Sequence, residues 1–219
     1  MVFCCFSKEP LQPNELGKGK YGTVYGDFAD KPEKFQITLC QAPCQETGCY
    51  CASMFCLLCA QMKMRKQVLE HVNPGSGLSD YKCCQGFYRG CCCCQPGKCG
   101  EKTCPCPCLC LEVFFCPGPA ASATSLVLRK QYNLGLDQDD VRLIRCNNCI
   151  YCTSIILSCL TICIQSEALD IGAHFARVIS NCVFCCTASC MMGQAKREMD
   201  FRNGKVPAIE KPSQQAMER

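Results

Sequence analysis

The chain carries 29 cysteines in 219 residues, and no other feature constrains its fold as strongly. At that density sulfur cross-links, either disulfides or metal–thiolate bonds, can stand in for part of an apolar interior. Trp is absent and the other large core formers are modest in number. The expectation is a small fold whose stability comes largely from cross-links.

The cysteines are unevenly placed. Cys4 and Cys5 stand apart, and all the others lie between Cys40 and Cys190. Residues 1–39, rich in Gly, Lys and Pro, read as an N-terminal arm or linker. Residues 40–200 read as a cysteine-rich body. Residues 201–219, polar and interrupted by Pro207 and Pro212, read as a disordered tail.

The compartment decides between disulfide and metal. The start, Met1 to Pro10, has no apolar stretch of secretory-signal length, so the chain reads as cytosolic, where thiols stay reduced. The odd cysteine count also leaves one thiol over in any complete disulfide framework. Metal is the expected cross-link, with some cysteines serving as small buried apolar groups.

Within the body, residues 53–72 lack Gly and Pro and hold Leu, Met, Gln, Lys and Arg, which predicts a helix. Asn73-Pro74-Gly75-Ser76-Gly77 stops it. Residues 83–119 carry so much Gly, Pro and Cys that a metal-organised coil is expected. Pro105 and Pro107 should hold the alternating thiols of Cys104, Cys106, Cys108 and Cys110 on an extended segment. Further helices are expected at 122–132, 139–146, 150–178 and 182–200, with weak strand signals throughout. The fold class is mainly α with irregular coil, a small cysteine-rich, metal-stapled fold.

Zinc takes four tetrahedral ligands, and closely spaced thiolates let one turn of chain supply two of them. Cys56–Cys59 and Cys182–Cys185 are C-x-x-C pairs, and Cys146–Cys149–Cys152 is two such steps in series. Cys91 to Cys94 are consecutive. The candidate ligands are Cys56, Cys59, Cys83, Cys84, Cys104, Cys106, Cys108, Cys146, Cys149, Cys152, Cys182, Cys185 and Cys186, shared among several zinc ions. An iron–sulfur cluster is the inorganic rival for Cys146, Cys149 and Cys152, but Ile156 stands where the ferredoxin run has its fourth cysteine.

Other functions find no constellation. Gly17-Lys18-Gly19-Lys20-Tyr21-Gly22-Thr23-Val24 matches the glycine-rich loop of protein kinases. The catalytic motifs that must follow are missing, and the remaining chain is too short for that domain. The only histidines, His71 and His174, form no recognisable dyad with a cysteine. His71 is placed in the last turn of its helix, and His174 among Ile171, Phe175 and Val178 reads as a packed histidine. A net charge of +4 with scattered Lys and Arg is no nucleic-acid footprint. The chain therefore reads as non-enzymatic, with no small-molecule substrate evident.

A membrane is the open question. Cys146 to Ser166 and Val178 to Ala195 contain no charged residue, and each approaches the ~20 residues of a transmembrane helix. Arg142 and Arg145 before the first, and Lys196, Arg197 and Arg202 after the second, suit a hairpin with both ends in the cytoplasm. The same runs suit two helices packed together in a soluble, zinc-stapled body, because they contain Asn, Ser, Thr and Gln. The balance of these readings favours a soluble or peripheral protein. Cys4 and Cys5, between Phe3 and Phe6, are acylation candidates.

Within residues 83–198 stand Cys106-Pro107-Cys108, then Thr124-Ser125 leading through Arg129 to Tyr132, then Asp139-Asp140 with Cys146 and Cys149. Cys182, Cys185 and Cys186 follow, leading to Gln194 and Lys196-Arg197-Glu198. In these elements the region resembles the onzin/cornifelin (placenta-specific-eight) cysteine-rich family. Cys56 to Arg65 echo that last element, an internal repeat within 40–70. Residues 153–181 depart from the pattern by separating cysteine groups that normally adjoin. The resemblance implies a non-enzymatic cysteine-rich fold, membrane association, self-association or protein partners, and links to metal handling. From these observations the expected function is a zinc-binding structural or protein-interaction module. The alternative is a membrane-associated oligomer in divalent metal transport or homeostasis.

Overall fold

The computed structural model describes residues 22–28, 31–88, 96–98, 100–164 and 166–209. Its elements are α1 (Gly22–Gly26), α2 (Ala42–Gln45), α3 (Thr47–Phe55), α4 (Leu57–Val72), α5 (Pro105–Phe115), α6 (Pro117–Tyr132), α7 (Gln138–Cys163) and α8 (Glu167–Arg202). Short 3-10 turns cover Leu39–Gln41 and Cys83–Gly86. Among the described residues the sole β pairing is an isolated bridge between Glu33 and Leu134. The chain is thus mainly helical and cysteine-rich, as its composition leads one to expect.

The long helix α8, about 54 Å at 1.5 Å per residue, is the spine. Beside its C-terminal half run α4 and α6, all three in the same direction. Near the start of α6, Gly118 approaches the Phe184 ring. Midway, Met64, Leu128 and Met192 share one apolar cluster. At the far end the Tyr132 hydroxyl lies 2.7 Å from His71 Nε2, and the Arg202 guanidinium sits 4.4 Å from the Tyr132 ring centre. The N-terminal half of α8 pairs with α7 as an antiparallel hairpin.

Local chemistry explains the ends. Asp137 caps α7, accepting from Gln138 N at 3.0 Å, while Asp140 reaches back to Asp137 N at 3.2 Å. Asn133 ends α6 in the left-handed conformation, with φ 56°, and Arg129 and Lys130 occupy its last turn. α4 stops at Asn73 with His71 in its last turn, where the sequence places both.

Three element expectations need correction. Residues 105–115 are helix rather than coil: Pro105 and Pro107 fall in the first turn, where a missing N–H costs nothing because those donors have no helical acceptor. The helix expected at 53–72 is two helices, since Cys56 is non-helical (φ −139°, ψ 79°), and α3 begins earlier, at Thr47. The break expected near 179–181 lies instead at 164–166. There Ile164 and Ser166 are extended, and Glu167 and Asp170 supply the acidic first turn that favours a new helix.

The interior is also less thiol-based than expected. Among the described cysteines only Cys84 and Cys190 are buried. The core consists of ordinary apolar clusters, and the stretch read as an arm contributes to them. Val24, Tyr25 and Phe28 pack with Leu126, Leu136 and Val141, while Phe35 and Ile37 are buried. Ile209, in the stretch read as a tail, packs against the cluster of Ile37, Leu39 and Ala42. Residues 1–21 and 210–219, including Cys4, Cys5 and most of the glycine-rich loop, lie outside the described residues.

Buried ion pairs tie the helices together. Arg65 on α4 donates to Glu112 on α5 (3.2 Å), to the Thr124 hydroxyl (2.8 Å) and to the Ala120 carbonyl (2.6 Å) on α6. Arg129 on α6 pairs with Asp140 on α7 at 2.5 Å, and Gln194 on α8 donates to the Ile37 carbonyl at 3.0 Å. Glu198 accepts from Gln36 N and from Arg202 Nε, both at 2.9 Å. Each buried charge has a partner, the condition under which such burial is tolerated.

Candidate functional site

Two regions carry chemistry that the fold itself does not consume. The first is a thiol–carboxylate cluster. Cys83 and Cys84 open a turn in which Cys84 and Gln85 are left-handed (φ 46° and 49°), so both sulfurs turn toward α5. There the ligand atoms of Cys83, Cys84 and Glu112 lie within 4.8 Å of one another. Tetrahedral ligands of zinc stand about 3.8 Å apart, so the group fits one face of such an ion.

Glu112 is held rigidly. Its Oε2 accepts from the Tyr81 hydroxyl (2.7 Å) and Cys84 N (2.8 Å), and its Oε1 accepts from Arg65. Hydrogen bonding to Cys83, burial and the Glu112 charge push the Cys84 thiol well above its usual range. Burial and the same carboxylate push the Tyr81 phenol up. A divalent cation would reverse that logic: two thiolates and a carboxylate balance the charge of the ion plus the Arg65 guanidinium.

Of the sequence-derived ligands, only Cys83 and Cys84 enter such a group. Among the described residues, no other three His, Cys, Asp or Glu side chains gather as closely. Cys56 and Cys59 adjoin each other at the start of α4, with Cys110 of α5 close by. Cys104 precedes α5, and Cys106 and Cys108 ride on it. Cys146, Cys149 and Cys152 lie along α7, and Cys182, Cys185 and Cys186 along α8. On α5 the i, i+2 spacing puts Cys106 and Cys108 on opposite sides, and on α7 and α8 the thiols share a face without three ligand atoms drawing as close as one ion needs. Cys91 to Cys94 lie outside the described residues. The sequence reading missed Glu112, whose one signal is that it is the single charge in an otherwise apolar helix. His174 is exposed rather than packed.

The second region is the α7–α8 hairpin. Its outer surface exposes Ile155, Ile156, Leu160 and Ile162 on α7, and Ile171, Phe175, Val178 and Ile179 on α8. Between the helices Ser154, Ser158, Ser180, Asn181 and Arg177, together with Ile155, Cys159 and Ile162, border a cleft of about 340 Å³. Arg177 donates to the Ser158 hydroxyl at 3.2 Å. Asp170, His174, Arg177 and Asn181 are exposed along one side of α8. Single exposed apolar residues are ordinary, but eight on one two-helix projection are not.

A rim surrounds the base of the hairpin. α4 and α6 both begin at the end of the bundle from which it projects, so the residues just before them lie there too. Phe55 is 93% exposed, and Phe114 and Phe115 are 64% and 72% exposed. α8 is long and apolar enough to cross a membrane. No protein-family model, curated protein or solved structure matches the chain.

Proposed function

We propose that this chain is a non-enzymatic, cysteine-rich module that docks end-on into a membrane through the α7–α8 hairpin. The eight exposed apolar side chains of the hairpin carry this reading. In water their exposure is the unfavourable arrangement. In lipid, hydrocarbon covers them, while Ser154, Ser158, Ser180 and Arg177 share the cleft between the helices. The helical body stays on the cytoplasmic side, where its many exposed thiols remain reduced. The resemblance to the onzin/cornifelin family implies membrane association as well.

Alkaline carbonate extraction tests the reading. The full chain should stay with the membrane pellet, and Ile156→Asp with Phe175→Asp should release it. Release of the unaltered protein into the supernatant would defeat the proposal.

A second reading concerns the same molecule's metal handling, and the Cys83–Cys84–Glu112 cluster favours it. A zinc ion held there would add folding energy and join the turn after Tyr81 to α5. Metal analysis of the purified protein should find at least one zinc per chain, lost in Cys83→Ser with Cys84→Ser. Zinc-free protein that keeps full helicity and stability would reject it.

A further inference from the structure

The base of the hairpin gathers reactive and apolar groups that neither the fold nor the cluster at Glu112 employs. Cys56 and Cys59 are exposed and adjoin one another at the start of α4. Cys110, exposed on the neighbouring α5, is near enough for its charge to act on Cys59. Around them stand the exposed rings of Phe55, Phe114 and Phe115, the last two edge-to-face with centres 5.2 Å apart. Thiols that only needed protection from water would not be set among bare aromatic rings.

We propose that Cys56, Cys59 and Cys110 form an S-acylation site, at which one or more long-chain acyl groups anchor this end of the bundle in the bilayer. The inference rests on the membrane reading above, which brings the rim to the lipid surface. The donor is a long-chain acyl thioester of the coenzyme A class, delivered by a membrane acyltransferase. The cysteine sulfur attacks the thioester carbonyl carbon. A new carbon–sulfur bond forms as the donor's breaks, and the departing thiolate takes the proton that the cysteine gives up. No electron leaves or enters. Donation from the Cys59 thiol and backbone to the Cys56 sulfur holds the Cys56 thiol below its usual pKa. That makes it the better nucleophile of the Cys56–Cys59 pair. The Phe rings offer the attached chain an apolar path into the hydrocarbon.

Position separates these thiols from exposed Cys40 and Cys44 on the body. Cys40 and Cys44 flank Ala42, whose side chain meets Gly193. Gly193 is about 13 Å farther along α8 from the hairpin tip than Phe184, so Cys40 and Cys44 stand back from the lipid.

The test uses the full chain made in eukaryotic cells, in a Cys4→Ser, Cys5→Ser background. Free thiols are blocked, thioesters are cleaved with hydroxylamine, and the newly freed thiols receive a mass tag. A hydroxylamine-dependent shift should appear, fall at least fivefold in the Cys56→Ser, Cys59→Ser, Cys110→Ser variant, and persist in Cys40→Ser, Cys44→Ser. Peptide mapping of the unaltered thiols should place the acyl groups on residues 56, 59 or 110, which guards against misfolding of the triple variant. No shift, an undiminished shift in the triple variant, or acyl groups mapped only elsewhere would overturn the proposal. Carbonate extraction keeps the two readings apart. Acylated protein that carbonate releases defeats the hairpin alone, and retained protein without thioesters defeats the acylation alone.

Discussion

At the scale of single residues, the buried charges determine more than the cysteines do. Arg65 and Glu112 are both removed from water, and each depends on the other to remain charged there. Glu112→Gln keeps the shape but leaves the guanidinium uncompensated, so it should lower unfolding stability by about 3 kcal/mol, read by chemical denaturation. His71 provides a pH-dependent counterpart. Burial against Tyr132 holds its folded pKa below the ordinary 6.5. The folded state then binds fewer protons than the unfolded one in acid. Its contribution is complete above pH 6.5 and is lost as pH falls through the folded value. Melting temperature should drop over that window, and His71→Gln should flatten the drop; an unchanged slope would contradict the assignment. The sequence made the thiols conspicuous and the acids not. Glu112 was invisible as a ligand because its partners come from two other segments of the chain, Arg65 from α4 and Tyr81 and Cys84 from the turn after it.

At the scale of elements, local signals succeeded where they act locally. The end of α4 at Asn73-Pro74-Gly75 was readable because turn chemistry is encoded in adjacent residues. The helix at 105–115 was not, since Pro105 and Pro107 oppose a helix everywhere except in its first turn, and nothing local says where that turn begins. The segment 22–37 was misread for another reason. Val24 and Phe28 stand four apart and Phe35 and Ile37 two apart, runs too short to set one period, and much of their burial comes from elements far along the chain, Leu126 and Leu136 for Val24 and Phe28, Leu128 for Phe35 and Cys190 for Ile37. Gly135 shows how closely that segment is fitted. A β-carbon there would lie 2.3 Å from the Lys31 carbonyl oxygen and 3.3 Å from that of Glu33. These are backbone atoms that cannot swing aside. Gly135→Ala should therefore cost about 1–3 kcal/mol, measured as a lowered melting temperature. Gly75→Ala, exposed in its turn but left-handed at φ 86°, should cost less, about 1 kcal/mol.

At the scale of the whole molecule, the question is what the apolar end faces. The hairpin extends from Phe184, beside the rim, to Glu167 at its tip, about 26 Å at 1.5 Å per residue. Hydrocarbon is about 30 Å thick. With the rim phenylalanines at one interface, Glu167 and Asp170 come within reach of the opposite headgroups, and Arg177 donates to the Ser158 hydroxyl across the cleft. The uncharged runs were plain in the sequence. The cleft and the rim were not, because both depend on how α7 turns its serines toward α8 and on where the breaks at Cys56 and Cys116 leave the phenylalanines. This arrangement makes a prediction that a water-exposed hairpin does not share. Cys152 and Cys159 on the hairpin are exposed, as are Cys40 and Cys44 on the body, so a soluble protein should label all four with an aqueous maleimide. In inside-out membrane vesicles the body thiols should label at least tenfold faster than Cys152 and Cys159, read peptide by peptide by mass spectrometry. Detergent should abolish the difference, because it removes the hydrocarbon without moving the sulfurs. Equal labelling before detergent would return the hairpin to water and leave its exposed apolar side chains needing another molecule to cover them.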